Sequence, residues 1–288
     1  MGRVAHSRNT PIRRRLAWDR IGLYAALAII ACFAFFPIYW MLVTSLTPNR
    51  IVFQFPPRFL PSEVTLEHYA NFLRNPRLLR YLLNSLIVAS ATAAGSLAVS
   101  VYAAYSFSKF RYPGRRSLMF LILSAQMFPQ SLLLITLYLM FSALKLLNTY
   151  LVLVLSFTTF TLPLCIWMLK GYLYKIPNDL IEAAKVDGAS QMTIIHRVML
   201  PLARPALAST GLFAFIRGWN DFVYALTLAG PEKQTLPPGM VLTYVGEFQA
   251  AWADMMAAAL IVSLPVAISF MVVQRHIVAG LTAGAVKA

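Results

Sequence analysis

Arg217 and Asp221 stand four residues apart inside an apolar run, Ala206–Ala229, that carries no other charge. On a continuous helix that spacing puts both side chains on one face, where they can pair. At 1.5 Å per residue, Arg217 falls roughly 16 Å into the segment. Ionisable groups at such depth are costly in hydrocarbon and face a cavity or a partner. Between the two lie Trp219 and Asn220, an aromatic face that can stack on a solute ring and an amide that can hydrogen-bond to it. Two readings follow. Arg217 and Asp221 form a salt bridge that holds helices together, or Trp219, Asn220 and Asp221, with Gln130 from another apolar run, line a solute path. Pro129 and Pro163 interrupt apolar runs as well, and they read as kinks in otherwise continuous helices.

Other arrangements that would carry chemistry are missing from the sequence. His6, His68, His196 and His276 have no metal-ligand spacing. Cys32 and Cys165 each sit in an apolar run and read as free, buried thiols. There is no Ser/His/Asp or Cys/His set and no G-x-x-x-x-G-K-[ST] loop to cradle a phosphate. The chain reads as a protein that is not an enzyme, binds no metal or cofactor, and does not itself bind or hydrolyse ATP.

The elements that must position these residues are membrane helices. Of 288 residues, 59% are hydrophobic and 12% charged, with a mean hydropathy of +0.67; a soluble domain carries about 25% charged residues. Six segments reach the roughly 20 apolar residues that a helix needs to cross a bilayer: Ile21–Leu46, Tyr81–Phe107, Leu118–Leu144, Tyr150–Leu169, Ala206–Ala229 and Met255–Val273. The first is longer than the apolar core of a signal peptide, so it reads as a retained helix. The fold class is all-α, a polytopic membrane protein.

The net charge of +15 would suggest nucleic acid in a soluble protein. Here the cations cluster at the ends of apolar runs and set orientation. With both termini in the cytoplasm, 17 Lys and Arg fall inside and 7 outside. The chain then divides into a basic cytoplasmic tail (1–20), a first transmembrane helix (21–46), an extracytoplasmic loop (47–80), a five-helix core (81–274) and a cytoplasmic tail (275–288). Within the outer loop, Glu67–Leu73 reads as a short helix. Leu236-Pro237-Pro238-Gly239 in the second outer loop reads as a turn or extended stretch.

The segment between the fourth and fifth helices has its own pattern. Asp179 can cap a short helix, with Glu182 three residues on. Gly188 stops it, Ser190 can cap the next, and Pro201 ends that one. A short exposed helix with the small residues Ala183 and Ala184 suits docking to a partner protein; the alternative is an amphipathic loop resting on the membrane surface.

Glu182-Ala183-Ala184, Gly188 and then Val198-Met199-Leu200-Pro201 resemble the E-A-A-x-x-x-G…I-x-L-P signature of permease subunits of binding-protein-dependent ABC importers, with Val198 in place of Ile. Asn84-Ser85-Leu86, Trp219-Asn220-Asp221-Phe222 and the Gly-rich end from Gln274 to Lys287 are similar to the smaller, six-helix permease of maltose-type carbohydrate transporters. The resemblance implies a MetI-like fold, residence in the bacterial cytoplasmic (inner) membrane, and import of an oligosaccharide or sugar derivative. It implies a coupling loop over 176–201, with Glu182, Ala183, Ala184, Asp187, Gly188, Leu200 and Pro201 at the ATPase contact. Implied partners are a second homologous permease, a dimer of ATP-binding subunits that hold ATP and Mg, and an extracytoplasmic solute-binding protein. It also implies that residues 231–244 form a loop able to enter the binding protein. Alternatives are import of glycerol phosphate or a polyamine by the same architecture, or an ion-driven secondary carrier.

Overall fold

A computed structural model describes residues 10–245 and 251–285, with side chains at 22–245 and 251–274. Every regular element among the described residues is helical. The chain divides into two compact units, residues up to 69 with 251–260, and residues 70–250 with 261 onward.

The first unit contains α1 (Thr10–Ser45), the loop after it and the start of α2 (Glu67–Arg74). Of residues 22–45 of α1, only Val43 and Ser45 are buried. Cys32 is exposed there, against the expectation of two buried thiols; a single helix with little packed on it leaves its apolar side chains to lipid or a neighbour. The loop is ordered by polar ties. Buried His68 places Nδ1 2.9 Å from Asp254 Oδ1 and Nε2 3.1 Å from the Thr47 carbonyl, while Asn49 Nδ2 donates to Asp254 Oδ2 at 2.7 Å. Arg50 pairs with Glu63.

The second unit is built on three mutually packed helices, α3 (Pro76–Lys109), α6 (Tyr150–Lys175) and α10 (Arg204–Trp219). In lipid, helices associate through close packing and polar contacts, because apolar surface is equally comfortable in hydrocarbon. Both devices are present. A Cβ at Gly218 would stand 3.3 Å from the Ala89 backbone, so glycine lets α10 approach α3. Ser96 on α3 and Thr161 on α6 share a 2.6 Å hydrogen bond.

Between α3 and α6 run α4 (Arg115–Ser124) and α5 (Gln130–Ala143). The expected third span bends by 94° at its break before Gln130. Pro129 therefore marks a sharp turn rather than a kink, whereas α6 continues through Pro163. The fifth span differs too. Helix α10 ends at Trp219, and the chain turns through residues 220–222 into α11 (Val223–Leu228). Among the described residues four helices are long and apolar enough to cross a membrane unbroken, with up to six spans if each bent pair counts as one.

Helix α12 (Leu236–Tyr244) begins at the Pro-Pro-Gly stretch read as a turn. Proline is tolerated in a first helical turn, where its missing N–H has no helical partner to lose. The segment is no free loop. Gln234, Thr235, Leu236, Pro238, Gly239 and Met240 are buried, and among residues 231–244 the exposed positions are Pro231, Glu232, Leu242 and Thr243. Finally α13 (Trp252–Ala285) runs through the expected 274/275 boundary without a break. Residues 1–9 and 286–288 of the two tails, Ser7 and Lys287 included, lie outside the described residues.

Candidate functional site

Two places in the second unit bring predicted residues together. The first is the segment joining α6 to α10. Helix α7 (Asp179–Val186) has Asn178 at its N-cap position, one residue before the expected cap. The Asn178 side chain does not cap; its Oδ1 accepts from Lys109 Nζ at 3.1 Å, and the same ammonium donates to the Ile176 carbonyl at 2.5 Å. Asp179 and Glu182 instead fill the first turn, where carboxylates favour the positive end of the helix dipole.

Gly188 has φ +78°, the left-handed region that glycine enters freely. Its N–H meets the Lys185 carbonyl at 3.0 Å, and the Ala189 N–H meets that of Ala184 at 2.9 Å. These two bonds form a Schellman turn that closes α7. Ser190 then caps α8 (Gln191–Thr193) by accepting from Thr193 N at 3.2 Å. A π-helical turn, Ile194–Met199, and α9 (Leu200–Leu202) lead into α10 across an 84° bend.

Burial sorts the faces of this segment. Ile181, Ile194, Ile195 and Met199 sink into a core with Val101, Tyr105, Leu169 and Leu173, and Ala184 and Leu200 pack against it. Tyr105 and Tyr102 of α3 hold the far side, by bonds to Gln191 at 3.0 Å and His196 at 3.1 Å. Left outward are Glu182, Ala183, Asp187, Gly188, Pro201 and Val186, the last 88% exposed. Of the two alanines expected at a partner, only Ala183 faces out. Lys109, Tyr102 and Tyr105 were not singled out in the sequence; as polar groups at the end of an apolar run they look like ordinary interfacial residues.

The second place is a cavity of about 200 Å³ where two chain breaks meet. Gln130, Ser131, Arg217, Asn220, Asp221, Phe222 and Tyr224 line it. The turn before Gln130 and the turn at 220–222 leave backbone groups outside any helix, which at membrane depth is tolerated where they are satisfied or face a cavity. Tyr224 donates its hydroxyl to the carbonyl of Gln130, the first residue of α5, at 2.5 Å. Arg217 reaches Gln130 Oε1 at 3.5 Å.

Arg217 and Asp221 do not form the expected ion pair, because the helix ends between them. Asp221 Oδ1 instead accepts from the N–H groups of Tyr224 and Ala225, both at 3.0 Å, at the start of α11. Asp221→Ala is therefore expected to cost about 1 kcal/mol, the worth of a helix cap. It should not cost the roughly 3–5 kcal/mol of a broken buried pair. Thermal unfolding of the purified protein beside Asp221→Asn, which keeps an acceptor, measures the difference.

Three of the four predicted path residues, Gln130, Asn220 and Asp221, line this cavity. Trp219 does not: it is 2% exposed and stacks on Phe215 at 5.6 Å. The exposed aromatic ring at the cavity is Phe222, 36% exposed, with Tyr224 buried beside it. The difference lies in where the chain changes direction, which hydropathy does not register.

Comparison with known proteins agrees with this architecture. The family described as binding-protein-dependent transport system inner membrane component matches residues 75–283. The trehalose/maltose transport system permease protein of Thermococcus litoralis is 37% identical over 276 residues, covering 93% of this chain and 97% of that protein. The galactooligosaccharides transport system permease protein of Bacillus subtilis is 34% identical over 268 residues, covering 92% and 94%. A chain from the crystal structure of a bacterial ABC transporter involved in import of the acidic polysaccharide alginate superposes with a TM-score of 0.78 at 26% identity, covering 95% of this chain and 99% of that one. With a helical core, a turned-out loop bearing Glu182 and Gly188, and a family match across most of its length, this chain belongs to the binding-protein-dependent transport system inner membrane components, the multi-pass permease subunits of ABC importers.

Proposed function

We propose that this permease forms the path by which an ABC importer brings a carbohydrate across the bacterial cytoplasmic membrane. The observation that carries the reading is identity above 30% over more than nine-tenths of the chain to permeases named for sugars and oligosaccharides. The cavity suits such a solute: amide, guanidinium, carboxylate and hydroxyl groups with the Phe222 side chain can meet a ring bearing many hydroxyls.

In this reading both termini are cytoplasmic, supported by the excess of Lys and Arg on that side. A second homologous permease pairs with this one, and an extracytoplasmic binding protein delivers the sugar. Two ATP-binding subunits, which hold ATP and Mg, meet the outward residues of the α7 segment. This chain needs no cofactor of its own. ATP binding drives transport only so far as it favours one of two arrangements of the permeases. Closure of the ATP-binding subunits would be passed through α7 to α6 and α10, the helices that frame it.

Replacing Asn220 by Ala is expected to lower ATP-dependent sugar uptake about three- to tenfold, the worth of roughly one hydrogen bond to solute, while partner subunits still co-purify. Uptake into proteoliposomes with the matching binding protein measures it. Full uptake in both Asn220→Ala and Gln130→Ala would remove this cavity from the path.

A further inference from the structure

The last turns of α6 and the first turns of α10 line an open cavity of about 610 Å³, inside the roughly 300–1,000 Å³ range of small-ligand sites. It shares no residue with the cavity at Gln130 and Asn220. Arg115, Lys170 and Lys175 line it, and no carboxylate does. Among the described residues none of these three cations has an ion pair within 4.0 Å. One guanidinium nitrogen of Arg115 is anchored on the Phe110 carbonyl at 2.7 Å, which fixes the direction of the rest.

The other walls are fitted to an amphiphile. Trp167 and Tyr174 are both exposed and flank the cavity; such rings mark the level of the membrane interface. Ser209 of α10 lines it too, its hydroxyl donating to the Pro205 carbonyl at 2.8 Å. Gly171 stands in the α6 wall with no heavy atom within 4 Å of where its Cβ would be. No close helix contact asks for glycine there, and glycine weakens a helix interior. Its missing side chain leaves the cavity open.

We propose that this cavity binds a phosphate ester. Arg115, Lys170 and Lys175 hold the phosphate, and Trp167 and Tyr174 flank the organic part. Basic pockets between membrane helices take anionic headgroups in this way, and a guanidinium fork matches phosphate oxygens. The ester is either an anionic phospholipid or a soluble phosphate compound. Because α6 and α10 are the two helices that frame the α7 segment, an occupant braces them against each other.

The test uses the assembled transporter in nanodiscs of phosphatidylcholine with and without phosphatidylglycerol. Native mass spectrometry counts retained phosphatidylglycerol, and a thermal shift with inorganic phosphate reports the soluble source. Binding from at least one source is expected. It should fall about fivefold for each lysine removed in Lys170→Gln and Lys175→Gln, the weight of one basic residue facing an anionic headgroup. Gly171→Leu, which fills the cavity and keeps every charge, should also lose it, while Gly171→Ala should keep it. Co-purification of the partner subunits shows that each variant is folded. Lipid retention without a phosphate shift assigns the site to lipid, and the reverse assigns it to a soluble ester. No binding by the wild type from either source, or undiminished binding in both the lysine variants and Gly171→Leu, overturns the proposal.

Discussion

In a transporter carrying Gly188→Arg, ATP-dependent uptake is expected to fall at least tenfold while the permease still inserts and pairs. Two effects act together. A residue with a Cβ held at φ +78° is strained by about 1–2 kcal/mol, and tenfold corresponds to about 1.4 kcal/mol. Relieving the strain opens the Schellman turn and re-aims α7. The arginine also adds bulk and charge beside exposed Glu182, Ala183 and Asp187, the surface proposed to meet the ATP-binding subunit. No heavy atom lies within 4 Å of the missing Cβ, and in the proposed topology the residue lies outside the membrane core, so insertion should survive. Gly188→Ala separates the effects, since it carries the strain without the bulk and should lose only part of the activity. Uptake and co-purification of the ATP-binding subunit, measured side by side, decide it. Wild-type values for Gly188→Arg in both would sink the assignment of this segment to coupling.

Asn84→Ala is expected to lower stability by about 3 kcal/mol and to free the segment before α12. Asn84 is 1% exposed. Its Nδ2 donates to the carbonyls of Glu232 at 3.0 Å and Gln234 at 2.8 Å, and its Oδ1 accepts from the Tyr150 hydroxyl at 2.7 Å. Alanine leaves two carbonyls and a hydroxyl without partners. Each orphaned group costs about 1–3 kcal/mol in a protein interior, and membrane-embedded hydrogen bonds average nearer 0.6 kcal/mol, so the sum falls between those limits. Neighbouring Ser85 accepts from Leu236 N at 2.8 Å and would hold alone. Trypsin gives a direct readout. Lys233 lies over the Tyr150 ring, 4.4 Å from its centroid, and Gln234 beside it is buried. Cleavage after Lys233 should be slow in the wild type and fast in Asn84→Ala. Equal rates would show that the segment is held by something else.

The sequence was legible where lipid is the judge. Uncharged runs of 20 or more residues can be little but helices in a membrane, and α1, α3, α6 and α13 stand where hydropathy puts them. The segment at α7 was legible for a different reason. Gly188 and Ser190 are residue types that end and begin helices, and both do so here. The errors concern direction. Neither the turn at Pro129 nor the end of α10 at Trp219 changes the apolar character of the run, because the same side chains suit a straight span and a folded-back one. From that follow the missing Arg217–Asp221 pair, the burial of Trp219 and the exposure of Phe222. At Leu236-Pro237-Pro238-Gly239 a composition typical of turns starts a buried helix, because proline's restrictions vanish in a first turn.

The π turn at Ile194–Met199 carries an orientation. An α-helix rotates about 100° and advances 1.5 Å per residue, and a π turn takes up one residue more than an α turn over the same path. Wound as α-helix, the same residues would deliver everything before Ile194 about 100° further round the axis of the Gln191–Leu202 stretch. Glu182, Ala183 and Val186 would then look at a different neighbour, although every one of their local contacts in α7 could stay as it is. The compass bearing of that small helix is thus written in a count, the number of residues between Gly188 and Pro201, more than in the identity of any of them.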